Sequence, residues 1–479
     1  MKGYALQFLK VRRDLIVDEA GQEIRLRGFC VGGWMNLENF INGYPGHPQT
    51  FRAAMEKVLG RGKAGFFFDR MMNHFLAEDD IRFMAGLGVN TLRVPFNYRH
   101  FEDDAKPGRW KPSGFRRLDW VIDACGRHGI YMILDLHAAQ GWQNPDWHSD
   151  NPSNLSLLWS HPHFQDRVVA LWEEIARRYR RCPAVAGYNF LNEPVCGVPG
   201  GLPKLYRRLA RAVRNHDRAH IFFLEGNAFS RDFSEMGAVA GGNTVLSNHT
   251  YPTPGLEAGR YPGRAGGIFY DRAVLKRDQE AGTSFMAKRH LPVWTGEFGA
   301  IFRGGPRDAD RLRVVEDCIS VFNELKHHWT IWTYKDCGMM GTVHLQPESP
   351  WLRLTAPYRK LKVKLGSETW GQLPGSVVAR SIVALGSAVR RGAAERRYGI
   401  DPAAFAMPFG LANRMVGGML VAEQLLPSFA GLFRGLSEKK LDEILQSFAF
   451  RNCAVRAGLA DVLRRGSQDP GVRRVDSWG

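Results

Sequence analysis

Long apolar runs are missing from this chain of 479 residues; residues 415–433 come nearest, but Glu423, Pro427 and three glycines interrupt them. They fall short of the roughly 20 apolar residues that cross a bilayer, so a packed helix pair is expected there and no integral membrane segment. Residues 1–10 lack the apolar core of about 7–15 residues and the small-residue cleavage site of a secretory signal, which predicts a cytoplasmic protein. Cysteine is sparse: seven residues are scattered without CxxC or metal-finger spacing. An odd, irregular set argues against a disulfide framework and predicts reduced thiols. Acidic residues are too few to balance the basic ones, leaving a net charge of +17. No long basic block accompanies it; pairs such as Arg12-Arg13, Arg390-Arg391 and Arg464-Arg465 are dispersed, as on a solvated surface rather than a nucleic-acid groove. Long-period repeats and low-complexity tracts are absent too.

What the chain has is the material of a large folded core, with 44% hydrophobic and 24% charged residues. From residue 24 to 336 short apolar runs alternate with amphipathic stretches. Eight strands are predicted at 24–34, 90–96, 131–137, 185–194, 220–226, 244–251, 292–299 and 329–336, several of them continuously apolar as strands covered on both faces must be. Residues 78–88, 118–128 and 164–179 carry helical spacing between them. The first strand ends in Phe29-Cys30-Val31-Gly32-Gly33-Trp34, not the glycine-rich phosphate turn expected of a doubly wound sheet. The pattern therefore predicts an α/β fold, a (β/α)₈ TIM barrel. Residues 15–24 predict a hairpin beneath it, and the long connections 36–77 and 138–161 predict walls around a cleft. Beyond residue 366 the periodicity is wholly helical, at 377–391, 409–426 and 441–463. The expected division is a barrel domain over 1–365 and a C-terminal helical appendage over 366–479.

In such a barrel the C-terminal strand ends meet at one face, where active sites are built. The residues that fall there are Trp34, Asn97, His137, Asn192, Glu193, Glu225, His249, Glu297 and Trp332. Two carboxylates stand out. An apolar strand delivers Asn192-Glu193 to the rim, where Pro194 ends it. Glu297 sits between Gly296 and Phe298-Gly299, a context that admits close approach of a ligand. A carboxylic acid facing a carboxylate is what cleavage of a glycosidic bond needs, one to protonate the leaving oxygen and one to meet the anomeric carbon.

Leu191-Asn192-Glu193-Pro194 and Thr295-Gly296-Glu297-Phe298-Gly299 resemble the signatures of the family 5 (cellulase-type) glycoside hydrolases, and the resemblance runs from about residue 15 to 340. It implies a retaining β-glycosidase with Glu193 as acid/base and Glu297 as nucleophile. Thr91-Leu92-Arg93-Val94-Pro95 resembles the second-strand motif, in which Arg93 would keep the nucleophile ionised. Asp135-Leu136-His137 resembles the third-strand motif, with His137 on the sugar, and Asn192 would contact its 2-hydroxyl. His249-Thr250-Tyr251 resembles the sixth-strand pair, His249 supporting the acid/base and Tyr251 touching the nucleophile. Trp332 would form the platform under the sugar ring.

Outside the motifs, Trp34 and Glu38 on the first long loop, together with the amide- and indole-rich loop 140–151, are expected to contact substrate. Glu225 is expected to hold structure through hydrogen bonds. The chemistry requires no metal or organic cofactor, and the expected partner is a β-linked oligosaccharide or glycoside. The core is compatible with β-glucans, β-mannan and small β-glucosides; its long loops predict a pocket. Without an export signal, action inside the cell on imported glycosides is expected. The competing readings are a carbohydrate-binding barrel with little turnover and a polyanion- or membrane-surface protein acting through its basic helical tail.

Overall fold

The computed structural model describes residues 6–257, 259–367, 375–393 and 412–468. Eight parallel strands close into a barrel: β1 (Arg27–Cys30), β2 (Thr91–Asn97), β3 (Tyr131–Ala138), β4 (Val185–Asn189), β5 (Ile221–Glu225), β6 (Thr244–Thr250), β7 (Val293–Phe298) and β8 (His328–Ile331). Closure comes where Trp329 of β8 pairs with Arg27 of β1. β1 to β5 and β7 are buried throughout, with helices on the outside, which explains the unbroken apolar runs.

Helices α1 (Pro48–Leu59), α2 (Arg61–Phe75) and α3 (Glu78–Gly86) fill the long β1–β2 connection. Then come α4 (Pro112–Arg127), α5 (Pro162–Tyr179), α6 (Gly201–Arg214), α7 (Arg272–Ala287), α8 (Asp308–Glu324) and α9 (Pro350–Leu365). Between β5 and β6 no long helix forms; the chain makes a short turn, Asn227–Ser230, with Ala228 and Phe229 in left-handed conformation.

The N-terminal hairpin lies one strand earlier than expected. Lys10–Arg12 pairs with Leu15–Val17, and residue 23 joins only through an isolated Val17–Glu23 bridge. It does sit under the barrel: Val11 N–H donates to Asn243 just before β6, and Phe8 packs edge-on to His220 just before β5.

From Leu426 onward the C-terminal segments share the apolar core of the barrel, while Val378 and Ile382 pack with Ala412 in a separate small cluster. Helices α10 (Val377–Ala393), α11 (Glu423–Gly431), α12 (Glu438–Leu445) and α13 (Ala457–Ser467) follow α9, with a π-helical stretch Arg414–Ala422 leading into α11. Phe429 and Phe433 meet Phe51, Phe67 and Trp351 in one aromatic cluster. The continuous helix expected over 441–463 is broken: α12 stops at Leu445, and Cys453–Val455 forms a strand antiparallel to Val343–Leu345 before α13 begins. Part of the helix expected over 409–426 lies outside the described residues. No helix among the described residues is long and apolar enough to cross a membrane.

Candidate active site

At the C-terminal face of the barrel one guanidinium organises the floor. Arg93, buried on β2, donates to Glu297 on β7, to Asn192 at 2.7 Å and to Glu225 at the end of β5 at 2.9 Å; Asp135 lies 3.1 Å away. Three carboxylates around it overcome the cost of burial and push its pKa well above the ordinary value.

Glu297 meets Tyr251, whose hydroxyl donates to Oε2 at 2.9 Å. Burial alone would raise its pKa, but His249, Arg93 and His137 outweigh burial and hold it below the ordinary value. Gly296 before it has a steric reason: a Cβ there would stand 2.6 Å from Ser247 Oγ and 3.0 Å from His249 Nε2.

Glu193 lies past the end of β4 with φ of 45°, a conformation costly for a side-chain-bearing residue. Glu225 Oε2 accepts its backbone N–H at 2.7 Å. Burial moves the Glu193 pKa up, Glu297 and Glu225 add to that, and the hydrogen bond from His249 only partly offsets it. His249 Nδ1 stands 2.7 Å from Glu193 and 3.6 Å from Glu297. Burial opposes charge on this imidazole, yet Glu225 and Glu297 push its pKa up to about 10.

On the opposite wall His137 binds Asp135 through Nδ1 at 2.7 Å and faces Glu38 through Nε2 at 3.4 Å. Burial pushes the Glu38 carboxyl up to about 7 in spite of that histidine. Trp332 lies parallel to the His137 ring, with centroids 5.3 Å apart, and closes against Gly32, where a Cβ would meet its ring at 2.6 Å.

Glu193, Glu297, Arg93, His137, Asn192, His249, Tyr251, Trp332 and Glu38 thus converge, and Glu225 bridges the Glu193 backbone and Arg93. Trp34 is the exception. Past Gly33, at φ of 82°, its indole turns away from the barrel mouth, donates to the Met72 carbonyl at 3.0 Å and packs edge-on to Trp120. It lines a lateral cavity of about 550 Å³ between helices. Two residues of the loop 140–151 join the site, against Glu193: His148 Nε2 lies 3.3 Å from Glu193 Oε2, and Asn144 donates to the Glu193 carbonyl at 3.0 Å. Lys335, the lysine nearest the strand ends, is buried elsewhere, donating to the carbonyls of Phe75 and Phe448.

One oxygen each of Glu193 and Glu297 and a nitrogen of His249 lie within 4.8 Å of one another, the one such cluster among the described residues. Two carboxyl groups this close, one biased toward the acid and one toward the anion, are the arrangement that forms and then opens a glycosyl ester.

Comparison with known proteins agrees. The family model for cellulase (glycosyl hydrolase family 5) matches residues 52–338. A β-xylosidase of Phanerodontia chrysosporium is 40% identical over 468 residues, covering 96% of this chain and 98% of that protein. Endoglucanase C of Acetivibrio thermocellus is 24% identical, over 54% of this chain and 84% of its own length. Among solved structures an endogalactoceramidase shares the fold, with a TM-score of 0.52 and 19% identity over 70% of this chain and 76% of that one. The barrel, the paired glutamates and these matches together place the chain in glycosyl hydrolase family 5.

Proposed function

We propose that the protein is a retaining exo-β-glycosidase that removes terminal sugars, β-xylosyl units first among them, from small β-glycosides. The observation that carries the mechanism is the close approach of Glu193 and Glu297, one oxygen of each lying within 4.8 Å of the other, with pKa values moved in opposite directions. Retention needs carboxyl groups about 5–5.5 Å apart, whereas inversion needs about 6.5–9.5 Å to admit a water.

In the first step Glu297, ionised beside Arg93, attacks the anomeric carbon. The bond to the leaving oxygen breaks as Glu193 gives that oxygen its proton, leaving a glycosyl ester on Glu297. Glu193, now a carboxylate, takes a proton from water as the water oxygen displaces Glu297 and the ester opens. Asn192, fixed by Arg93, is placed to contact the 2-hydroxyl, an interaction that strengthens in the transition state. His137 and Trp332 form the wall and platform of the cleaved sugar's subsite, with Glu38 beside them.

Two observations support the substrate. The relative aligned along nearly the whole chain is a β-xylosidase. The C-terminal segment also stands against the loops that border the site, with Arg414 3.5 Å from Asp146 and Glu423 bonded to His47, which favours a closed-ended pocket over an open groove.

The test is hydrolysis of aryl β-xylosides, β-glucosides and β-mannosides and of the matching oligosaccharides, with product anomer followed by proton NMR. Turnover of the β-xyloside with β-xylose appearing first, and single sugars released from oligosaccharide ends, is the expected result. Initial α-product would refute the nucleophile, and early internal fragments would refute exo action.

A further inference from the structure

Glu193 is flanked by two histidines, and His148 belongs to none of the motifs above. It lies in the turn Trp147–Ser149 on the β3–α5 loop, with Nε2 3.3 Å from Glu193 Oε2, while His249 occupies Oε1 at 2.7 Å.

Asn144 determines what Nε2 can do. Two backbone groups fix its amide: the oxygen accepts the Asp146 N–H at 2.9 Å and the nitrogen donates to the Glu193 carbonyl at 3.0 Å. A flipped amide would set donor against donor and acceptor against acceptor. The same nitrogen stands 2.8 Å from His148 Nε2, so its second N–H makes Nε2 an acceptor. His148 is therefore a neutral imidazole with its proton on Nδ1, and the single lone pair of Nε2, which accepts from Asn144, lies 3.3 Å from Glu193 Oε2. An ionised Oε2 is repelled by this electron-rich nitrogen, whereas a protonated Oε2 can share its lone pair as a second, weaker donor beside the Asn144 N–H.

We propose that His148 is a positioning residue that selects Oε2 as the oxygen carrying the catalytic proton and keeps that proton on Glu193 until a leaving group takes it. The role of Glu193 in turnover rests on the retaining mechanism proposed above; the location of its proton does not. The charged and titratable groups facing the pair are His249, Tyr251, Glu225 and Glu297 from the strand ends, His137 and Glu38 across the site, Arg93 beneath and Arg414 from the C-terminal segment. Burial, then His137, His249, Arg414 and Arg93, hold the His148 pKa well below its ordinary value, in keeping with the neutral form.

The two steps feel this lone pair in opposite senses. It makes Glu193 a weaker acid toward the leaving oxygen and, once the proton has gone, a stronger base toward the incoming water. His148 thus holds one carboxyl group suited to both duties at the same pH.

The test reads the proton directly. The protein is labelled with glutamate carrying ¹³C at the side-chain carboxyl, Glu193 is assigned by comparison with Glu193→Gln, and its titration is followed in wild type, His148→Phe, His148→Ala and His148→Gln. The midpoint is expected to fall by about half to one pH unit in the Phe and Ala variants and to stay in place in the Gln variant, whose amide oxygen can accept where Nε2 did. An unmoved midpoint in a folded Phe or Ala variant overturns the proposal. Since no turnover is involved, the outcome holds even where the glycosidase reading fails.

Kinetics supply a second readout. The alkaline limb of kcat/KM on a 4-methoxyphenyl β-xyloside, a poor leaving group, is expected to move with the midpoint, while a 2,4-dinitrophenyl β-xyloside, whose leaving group departs without a proton, shows no such shift. Equal losses on both substrates would mark mere structural damage and overturn the assignment.

Discussion

Glu225 accepts the backbone N–H of Glu193 through Oε2 at 2.7 Å while its Oε1 takes Arg93 at 2.9 Å, so one buried carboxylate ties the acid's strained backbone to the cation under the nucleophile. Glu225→Ala leaves the Glu193 N–H without its acceptor, while Arg93 keeps Glu297, Asn189 and Asn192. Losing a buried acceptor costs about 1–3 kcal/mol, and kcat is expected to fall as Glu193 loses its anchor. Glu225→Gln keeps an acceptor for one donor and should be milder in stability. Urea unfolding and kcat, measured together, check this; wild-type values for both in Glu225→Ala would contradict it.

The roles proposed for the two glutamates separate by their response to an added nucleophile. Glu297→Ala should lower kcat by about 10⁴-fold or more, with azide rescuing turnover as an α-glycosyl azide formed in the vacated space. Glu193→Ala should lose about 10²–10⁴-fold on poor leaving groups, with azide entering from the other face to give the β-azide. NMR of the azide product decides. Swapped anomers would mean swapped roles.

The pH profile follows from the signs of the two shifts. Turnover needs Glu297 ionised and Glu193 protonated. Burial would raise Glu297, but His249, Arg93 and His137 hold it low, so activity is lost on the acid side only as that depressed group takes up a proton. Burial keeps Glu193 high, so activity is lost on the alkaline side as it ionises. The limbs of kcat/KM belong to the pair rather than to either residue, and the alkaline limb should vanish in Glu193→Gln on an activated aryl glycoside. Stability follows a different group. Burial would raise Glu225, yet His249 and Arg93 bring it down to about 2. Its contribution is therefore complete above the unfolded carboxylate range near pH ~4.3 and disappears as pH falls toward 2. Urea midpoints from pH 6 to 2 should drop less steeply in Glu225→Gln than in wild type.

Most of this site was legible in the sequence because barrel topology turns a position along the chain into a position in space. A residue at the C-terminal end of a strand must face the mouth, so His137, Asn192, Glu193, His249, Glu297 and Trp332 could be placed by counting strands, whereas Arg93, third in its strand, and Tyr251 were placed by the resemblance of their motifs to the family's. Trp34 broke the rule because the first strand ends already at Cys30 and the chain turns at Gly33 before it; composition carries no information about which way an indole then points. His148 and Asn144 could be placed no more finely than their loop, 140–151, for a related reason. Their roles depend on the fold of the loop around them, in which Asn144 bonds at once to Asp146 and to Glu193. The helix expected over 441–463 failed through a non-local cause: residues 453–455 pair with 343–345, and helical periodicity is blind to a distant strand edge.

That the C-terminal region reaches the site leads to the last prediction. Glu423 Oε1 accepts the His47 N–H and the Thr50 hydroxyl, each at 2.9 Å, and bonds the His47 ring as well. His47 ends the loop that brings Glu38 to His137. Glu423→Ala leaves these donors unpaired, at about 1–3 kcal/mol for the loss of a buried acceptor, and frees the loop on the sugar side of the site. Glu193 and Glu297 are held by β4, β5 and β7 and should keep their geometry. KM is therefore expected to rise several-fold while kcat stays near wild type, with Glu423→Gln in between because its amide oxygen can still accept. Steady-state kinetics on the best aryl glycoside, with a thermal melt beside them, decide the matter. A fall in kcat at unchanged KM would mean that the C-terminal region acts on the catalytic pair itself and not through the loop.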